Sequence, residues 1–348
     1  MINRFSAKAK ISLLLVFVLV LGVSVFALVK NRSAQEATAR ETLNVLNWTS
    51  YVPDDVIADF EAETGVKVNY GTYSSNEELL AKVSSAAPGT YDLIFPSDYM
   101  VELMIARDML APLDTSRLSN LKNLNPKFLA QKYDPENAFS VPFLLATSVI
   151  VYDETKLAPI HGYRDLLRSE LANSVVLLDD QRITLGALLQ ASNASMNSTS
   201  EADLSRALNF YAQLRPNVKA FDSDSPKTFL ITGEVDAGII WNAEAELAAT
   251  EREGLKIVYP SEGFALSMDN YCLVKGGKNT DNAYKFIDFL LRDDISRRIV
   301  EEYPYISPNV SVASLPESEL DEILTRGTYV ENVGANIKLF DKLWAKIK

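Results

Sequence analysis

From Leu43 onward the chain alternates short apolar runs with amphipathic stretches, and this alternation restricts the fold to the α/β class. The first run, LNVLNW, precedes Val56 to Thr64, where Val56, Ile57, Phe60 and Ala62 fall on one helical face, and then a strand-type run from Val66 to Tyr70. Gly65 supplies the stop between helix and strand. Ser75-Asn76-Glu77-Glu78 opens a second helix over LLAKVSSA, Pro88-Gly89 punctuates it, and Tyr91 to Phe95 reads as the next strand. Two strand ends then carry the same kind of cluster. Trp48-Thr49-Ser50-Tyr51 follows the first run, and Pro96-Ser97-Asp98-Tyr99 leads into a helical pattern from Met100 to Leu110. In open α/β sheets ligands bind beyond the carboxyl ends of strands, where helix N-termini also gather, so both clusters are candidate binding walls.

The pattern continues with an apolar run from Ser140 to Tyr152, a helix near Gly162 to Leu171, and a strand from Ser174 to Leu178 ending in Asp179-Asp180. Helices are expected over Ile183 to Ala191 and Glu201 to Leu214. Asp236 to Asn242 is a third strand end, delivering Trp241 and an amide. After the extended segment Phe264 to Lys275, one amphipathic helix is expected from Thr280 to Glu302, followed by Tyr303-Pro304-Tyr305.

With 348 residues, 47% hydrophobic, the chain is long enough for two lobes, each with its own core. Ile11 to Val29 holds no charge and follows Arg4, Lys8 and Lys10, so residues 1–29 read as an export signal or a single membrane anchor. This uncharged run of 19 residues exceeds the usual signal core and approaches the roughly 20 that span hydrocarbon, while Val25-Phe26-Ala27 offers a cleavage spacing. Both readings stay open. No cysteine lies near this run, which excludes lipid attachment there. Residues 30–42 are polar and aperiodic and read as a linker.

Several chemistries lack support. Cys272 and His161 are each the sole residue of their type, so the usual zinc ligands, an internal disulfide and a Ser-His-Asp or Cys-His nucleophile have nothing to build on. No phosphate-binding glycine loop or nucleophile elbow occurs. The acid pairs Asp54/Asp55, Asp179/Asp180 and Glu301/Glu302 read as turns or caps. No cofactor and no metal are expected. The net charge is −12, although residues 1–40 hold six Lys/Arg against one acid. The folded part is therefore more acidic than the whole, which excludes nucleic acid as a partner and favours small cations.

The string NWTSYVPDDVIADFEAETGVKVNYGTYSSNEELLAKV, with YDLIFPSDYMVELM, LSNLKNLNPKFL, FSVPF, VDAGIIWN, KFIDFLLRDDISRRIVEEYPYISPN and ENVGAN, resembles the spermidine/putrescine-binding periplasmic proteins of bacterial ABC transporters. The likeness runs in order through nearly all of residues 43–348. It implies a two-lobed type II periplasmic binding fold with a cleft between α/β lobes, the chain crossing near residues 145–150 and 265–272. Lobe 1 would then hold residues 43–146 and 270–313, and lobe 2 residues 147–269 and 314–348. A polyamine is a chain of methylenes and ammonium groups, so its pocket needs aromatic faces and carboxylates. The resemblance implies Trp48, Tyr51, Tyr99, Trp241 and Tyr305 as the aromatic cage, Thr49 and Ser97 as polar contacts, and Asp180 and Asp269 as carboxylates, with Asp269 gripping an ammonium. Departures are Ser50 and Ile183 where the resemblance leads to acids, Ser267 where it leads to an aromatic, and Leu145-Ala146 in place of Trp-Gly. Asp98 is expected to return one charge. The implied activity is non-enzymatic capture of a polyamine or small cationic amine in the periplasm by a monomer, tethered if residues 11–29 are retained. Lobe closure would deliver the ligand to an ABC permease, or alternatively pass a signal to a membrane sensor.

Overall fold

The computed structural model describes residues 42–312 and 315–348. The apolar run and nearly all of the linker lie outside the described residues, and among those described no helix is long and apolar enough to cross a membrane. The chain enters on β1 (Thr42–Trp48), one residue earlier than expected, and continues through α1 (Asp54–Thr64), β2 (Lys67–Tyr73), α2 (Asn76–Ser85), β3 (Leu93–Ile94) and α3 (Asp98–Ala106). Local chemistry sets these limits. Asp54 and Asp55 occupy the first turn of α1, where the helix dipole favours acids, and Gly65 ends it at φ 71°, its N–H bonded to Glu61. Ser75 caps α2 by accepting the N–H of Glu78.

The long strand β4 (Val141–Asp153) leads into two 3₁₀ turns, Tyr163–Leu167 and Ser169–Leu171, where a helix was expected. Arg168 is extended between them (φ −59°, ψ 136°), its guanidinium donating to the carbonyls of Ala158 and Pro159, and this breaks the helical run. The chain goes on through β5 (Val175–Leu177), α4 (Gln181–Ala191), α5 (Glu201–Leu214), β6 (Val218–Phe221), α6 (Lys227–Ile231), β7 (Ala237–Trp241), α7 (Asn242–Glu251), β8 (Leu255–Val258) and β9 (Phe264–Leu273). The single helix expected from Thr280 to Glu302 is two, α8 (Thr280–Leu290) and α9 (Asp293–Glu302). Arg292 is extended between them, its guanidinium paired with Glu63 of α1 and with Asp294, so a tertiary contact fixes the break. The C-terminal part adds α10 (Glu317–Arg326), β10 (Gly327–Tyr329) and α11 (Ile337–Ile347).

The strands form one curled mixed sheet in the order β2-β1-β3-β9-β4-β7-β5-β6, with β10 beside β9 and β8 beside β4. β1 is parallel to β2 and β3, and β5 is parallel to β6 and β7, as βαβ units require. β4 and β9 join the two groups. They pair antiparallel from Val141↔Tyr271 to Thr147↔Leu266, after which β4 pairs with β7 and β8. Every residue of both strands is buried, so their sequences lack the alternation of a half-exposed strand. One apolar cluster gathers around Phe60, Phe95 and Phe286 beside β1, another around Leu177, Leu189 and Phe340 beside β5. The carboxyl ends of β1, β3, β5 and β7 and the middle of β9 meet between these clusters.

Candidate ligand-binding cleft

The cleft at this meeting point encloses about 800 Å³, part of it open to solvent. Ten of the eleven side chains expected at a site line it: Trp48, Thr49, Ser50, Tyr51, Ser97, Tyr99, Asp180, Trp241, Asp269 and Tyr305. Trp48 ends β1, and its indole N–H donates to the carbonyl of Phe95 at 2.9 Å while its ring lies 4.7 Å from that of Tyr73. The ring is thereby fixed from behind. Thr49 and Ser50 make the exposed turn, Ser50 in the left-handed region at φ 57°. The turn brings Tyr51 back inward, its ring 4.8 Å from Tyr305.

Asp269 stands at the centre, only 2% exposed. Its register partner in β4 is Leu144, and an isolated bridge ties it to Ser97 at the start of α3. Tyr51 donates its hydroxyl to Oδ2 at 2.8 Å, and Ser97 donates to Oδ1 at 2.6 Å. Asn76 in turn donates to the Ser97 hydroxyl at 3.1 Å, so the carboxyl is held by a two-layer network. Burial pushes the Asp269 pKa up to about 7, against the pull of the Ser97 and Tyr51 hydrogen bonds. A cation placed here would favour the charged form.

Asp180 is half-buried at the N-cap of α4, accepting the N–H of Ile183 at 2.9 Å. Burial, and then the charge of Glu77, raise its pKa to about 6. Tyr99 spans towards the same region, donating its hydroxyl to Glu77 at 3.1 Å. Ile183 lines the cleft as an apolar patch, and Ser267 lies opposite Ala146 in the β4/β9 register, so two small side chains floor the cleft at the departures from the resemblance.

Asp98 is the exception. It does not line the cleft: it is 1% exposed, its Oδ1 accepts the N–H of Tyr99 at 2.8 Å, and its Oδ2 faces the N–H of Met268 at 3.4 Å. Burial raises its pKa well above the carboxylate range, and its position on α3 turns it from the cavity into the backbone of β9. The expectation that Asp98 returns a charge to the cleft is therefore corrected. Residues that sequence reasoning passed over also line it, among them Tyr73, Asn76, Ser223, Asp224, Glu244 and Tyr303. Glu244 was within reach: it lies in the first turn of α7, three residues beyond Trp241 at the same strand end. Among the described residues no group of His, Cys, Asp or Glu gathers to hold a metal ion. Cys272 is buried within β9, and burial raises its thiol pKa.

A family profile described as bacterial extracellular solute-binding protein matches residues 55–325. The chain belongs to that family. This solute-binding protein is 35% identical to a spermidine/putrescine-binding periplasmic protein of Salmonella typhimurium, over 92% of its own length and 96% of the relative's. It is 28% identical to a putrescine/cadaverine-binding protein of Pseudomonas aeruginosa, covering 90% of this chain and 96% of that one. Among solved structures, a putative spermidine/putrescine ABC transporter protein of Listeria monocytogenes superimposes with a TM-score of 0.82 at 31% identity, over 88% of this chain and 98% of that one. The resemblance read from the strand-end strings and the α/β binding-protein fold are both borne out, and these relatives are named for binding and transport.

Proposed function

We propose that this solute-binding protein captures a polyamine or a related small cationic amine in the periplasm and presents it to an ABC permease. The observation that carries the reading is Asp269: a buried carboxyl fixed by Tyr51 and Ser97, lining one cleft with the rings of Trp48, Tyr51, Trp241 and Tyr305. Aromatic faces suit methylenes and the ammonium edge, and the carboxyl suits the charge itself. An ammonium gains a bond in which both partners are charged, a neutral hydroxyl gains a weaker one, and an anion is repelled by the ionised carboxyl. Asp180 supplies a second acid along the cleft, and Thr49 and Ser97 supply hydroxyls.

Closure of two lobes about β4 and β9 is the mechanism, with residues 43–146 and 270–313 moving against residues 147–269 and 314–348. The observation that favours it is that β4 and β9 are the strands that join the two groups of parallel strands. Val310 is the one large apolar side chain exposed among the described residues, which favours a monomer. No observation favours the sensing alternative. Calorimetric titration of the purified protein with putrescine, spermidine, norspermidine and spermine, against glucose and succinate, tests the reading. Saturable heat is expected for at least one amine, and saturation by only a neutral or anionic solute would overturn it.

A further inference from the structure

Away from the cleft, one helix carries charge opposite to that of the whole molecule. The net charge is −12, yet α11 (Ile337–Ile347) presents Lys338, Lys342 and Lys346, spaced four apart and all exposed. That spacing sets them in one stripe, while Phe340, Leu343 and Ile347 are buried in the cluster beside β5. Like charges four apart work against a helix. On α2, α5 and α10 cations are offset by acids within one turn, in the pairs Lys82–Glu78, Arg206–Asp203 and Arg326–Glu322. Along α11 they are not: among the described residues no ion pair or side-chain hydrogen bond holds the three ammonium groups. Asp341, the acid within the helix, accepts a bond of 3.1 Å from Gln181 instead. The stripe ends at a corner where Tyr211 donates its hydroxyl to the carbonyl of Ile347 at 2.7 Å. Arg215, exposed one turn beyond Tyr211 in the groove it shares with Ile347 and Lys348, also lacks an ion pair among the described residues.

None of these cations lines the cleft. Lys338 to Lys346 covers about 12 Å of helix, more than one small anion bridges, so the stripe fits an extended anionic surface. No large apolar side chain is exposed along it, whereas protein interfaces centre on buried apolar and aromatic anchors. Lysines on flexible stems suit a diffuse layer of charge. We propose that α11, with Arg215, is a docking face for anionic phosphodiester headgroups and rests the molecule on a lipid membrane. The proposal goes beyond the cleft and does not depend on which solute the cleft holds. A protein docked in this way carries its solute along the surface in which a permease sits.

Cys272 is buried, so the full chain with Ala345→Cys, an exposed position in the stripe, takes a single donor dye. Energy transfer to a headgroup acceptor is read on phosphatidylcholine vesicles with and without about 30% phosphatidylglycerol. Transfer is expected to be at least about twofold higher with phosphatidylglycerol at low salt, and the difference to fall to under about a third in roughly 0.5 M salt. Lys338→Gln/Lys342→Gln/Lys346→Gln separates the stripe from Lys8, Lys10, Lys30 and Arg32 of the N-terminal segment, and is expected to lose the difference to the same extent while putrescine affinity stays within about twofold. Equal transfer on the two compositions, or a difference that survives the three substitutions, overturns the proposal. Lys342→Glu, in the middle of the stripe, serves if the triple variant does not fold; it is expected to lose at least about half of the difference, and no loss counts against the proposal. If poly-L-glutamate at an equal concentration of charge abolishes the difference, the stripe fits an acidic polypeptide and the lipid assignment falls.

Discussion

On the wall that carries Asp269, the protein satisfies the central polar groups itself: Tyr51 and Ser97 donate to the carboxyl, and Asn76 steadies Ser97. On the wall that carries Glu244 it does not, since Glu244 Oε2 and Ser223 Oγ stand without partners and Asp180 spends one oxygen capping α4. The first wall presents its carboxyl already held, and the second presents two oxygens that no protein group satisfies. In a binding protein that division makes sense. A preorganised anchor fixes one end of a flexible amine at low entropic cost, and an unsatisfied opposite wall gains most when it meets the other end.

The largest test of this difference is Asp269→Asn, which keeps the shape and removes the charge of the anchored wall. Amine affinity is expected to fall by about tenfold to a hundredfold, the range of a charge-assisted bond worth about 1.5–3 kcal/mol. Calorimetry that finds affinity unchanged removes Asp269 from the site and dissolves the contrast. Next is pH. Because burial pushes the Asp269 pKa up to about 7, amine affinity is expected to drop about tenfold or more from pH 8 to pH 5.5 as that carboxyl takes a proton. The empty protein follows the opposite sign. A carboxyl raised in the folded state keeps its proton there longer than in the unfolded chain, so its stabilising share is complete below about pH 4 and is lost as pH rises through about 7. The melting temperature of Asp269→Asn relative to wild type is therefore expected to climb between pH 5 and pH 8. A constant gap would show that Asp269 does not titrate in this window.

Smaller effects sharpen the comparison. Tyr51→Phe deletes one of the two donors to Asp269 and leaves the ring, so affinity near pH 7 is expected to fall about threefold to tenfold, from the loss of one hydrogen bond and a further rise in the Asp269 pKa. The loss should shrink at pH 9, where the carboxyl is ionised regardless, and an equal loss at both pH values would mean that Tyr51 acts only by packing. Ser50→Glu returns an acid to the turn, yet Ser50 is exposed and sits at φ 57°, where a longer L-residue is strained. Screening and strain nearly cancel the gain, and spermidine affinity is expected to rise by less than about threefold. A rise beyond tenfold would mean that the turn closes over the ligand.

How much of this was legible depends on where each signal lives. The strand ends at Trp48, Ser97, Asp180 and Trp241 were readable because each is a local event: an apolar run stops, and a polar or aromatic group precedes a helix start. The break between α8 and α9 was not, because Ile287, Leu291, Ile295 and Ile299 are buried and keep a four-residue spacing across it, and a distant residue, Glu63, holds Arg292 out of the helix. Asp98 shows the limit at finer scale. It is the neighbour of two cleft residues, but one step along a helix start turns a side chain through a large angle, and its carboxyl meets the backbone of β9 rather than the cavity. Glu244 shows the converse, a residue one helical turn past a recognised strand end. The cleft was legible as a place, and which acids face it was decided by helix phase.

The most direct measurement is a paired titration of the wild-type protein with putrescine and with 1,4-butanediol, which share a four-carbon chain and differ in charge. A cleft organised around the buried carboxyl of Asp269 binds putrescine saturably and the diol at least about a hundredfold more weakly. Equal affinity for the two, or tighter binding of the diol, would contradict the cationic cleft outright.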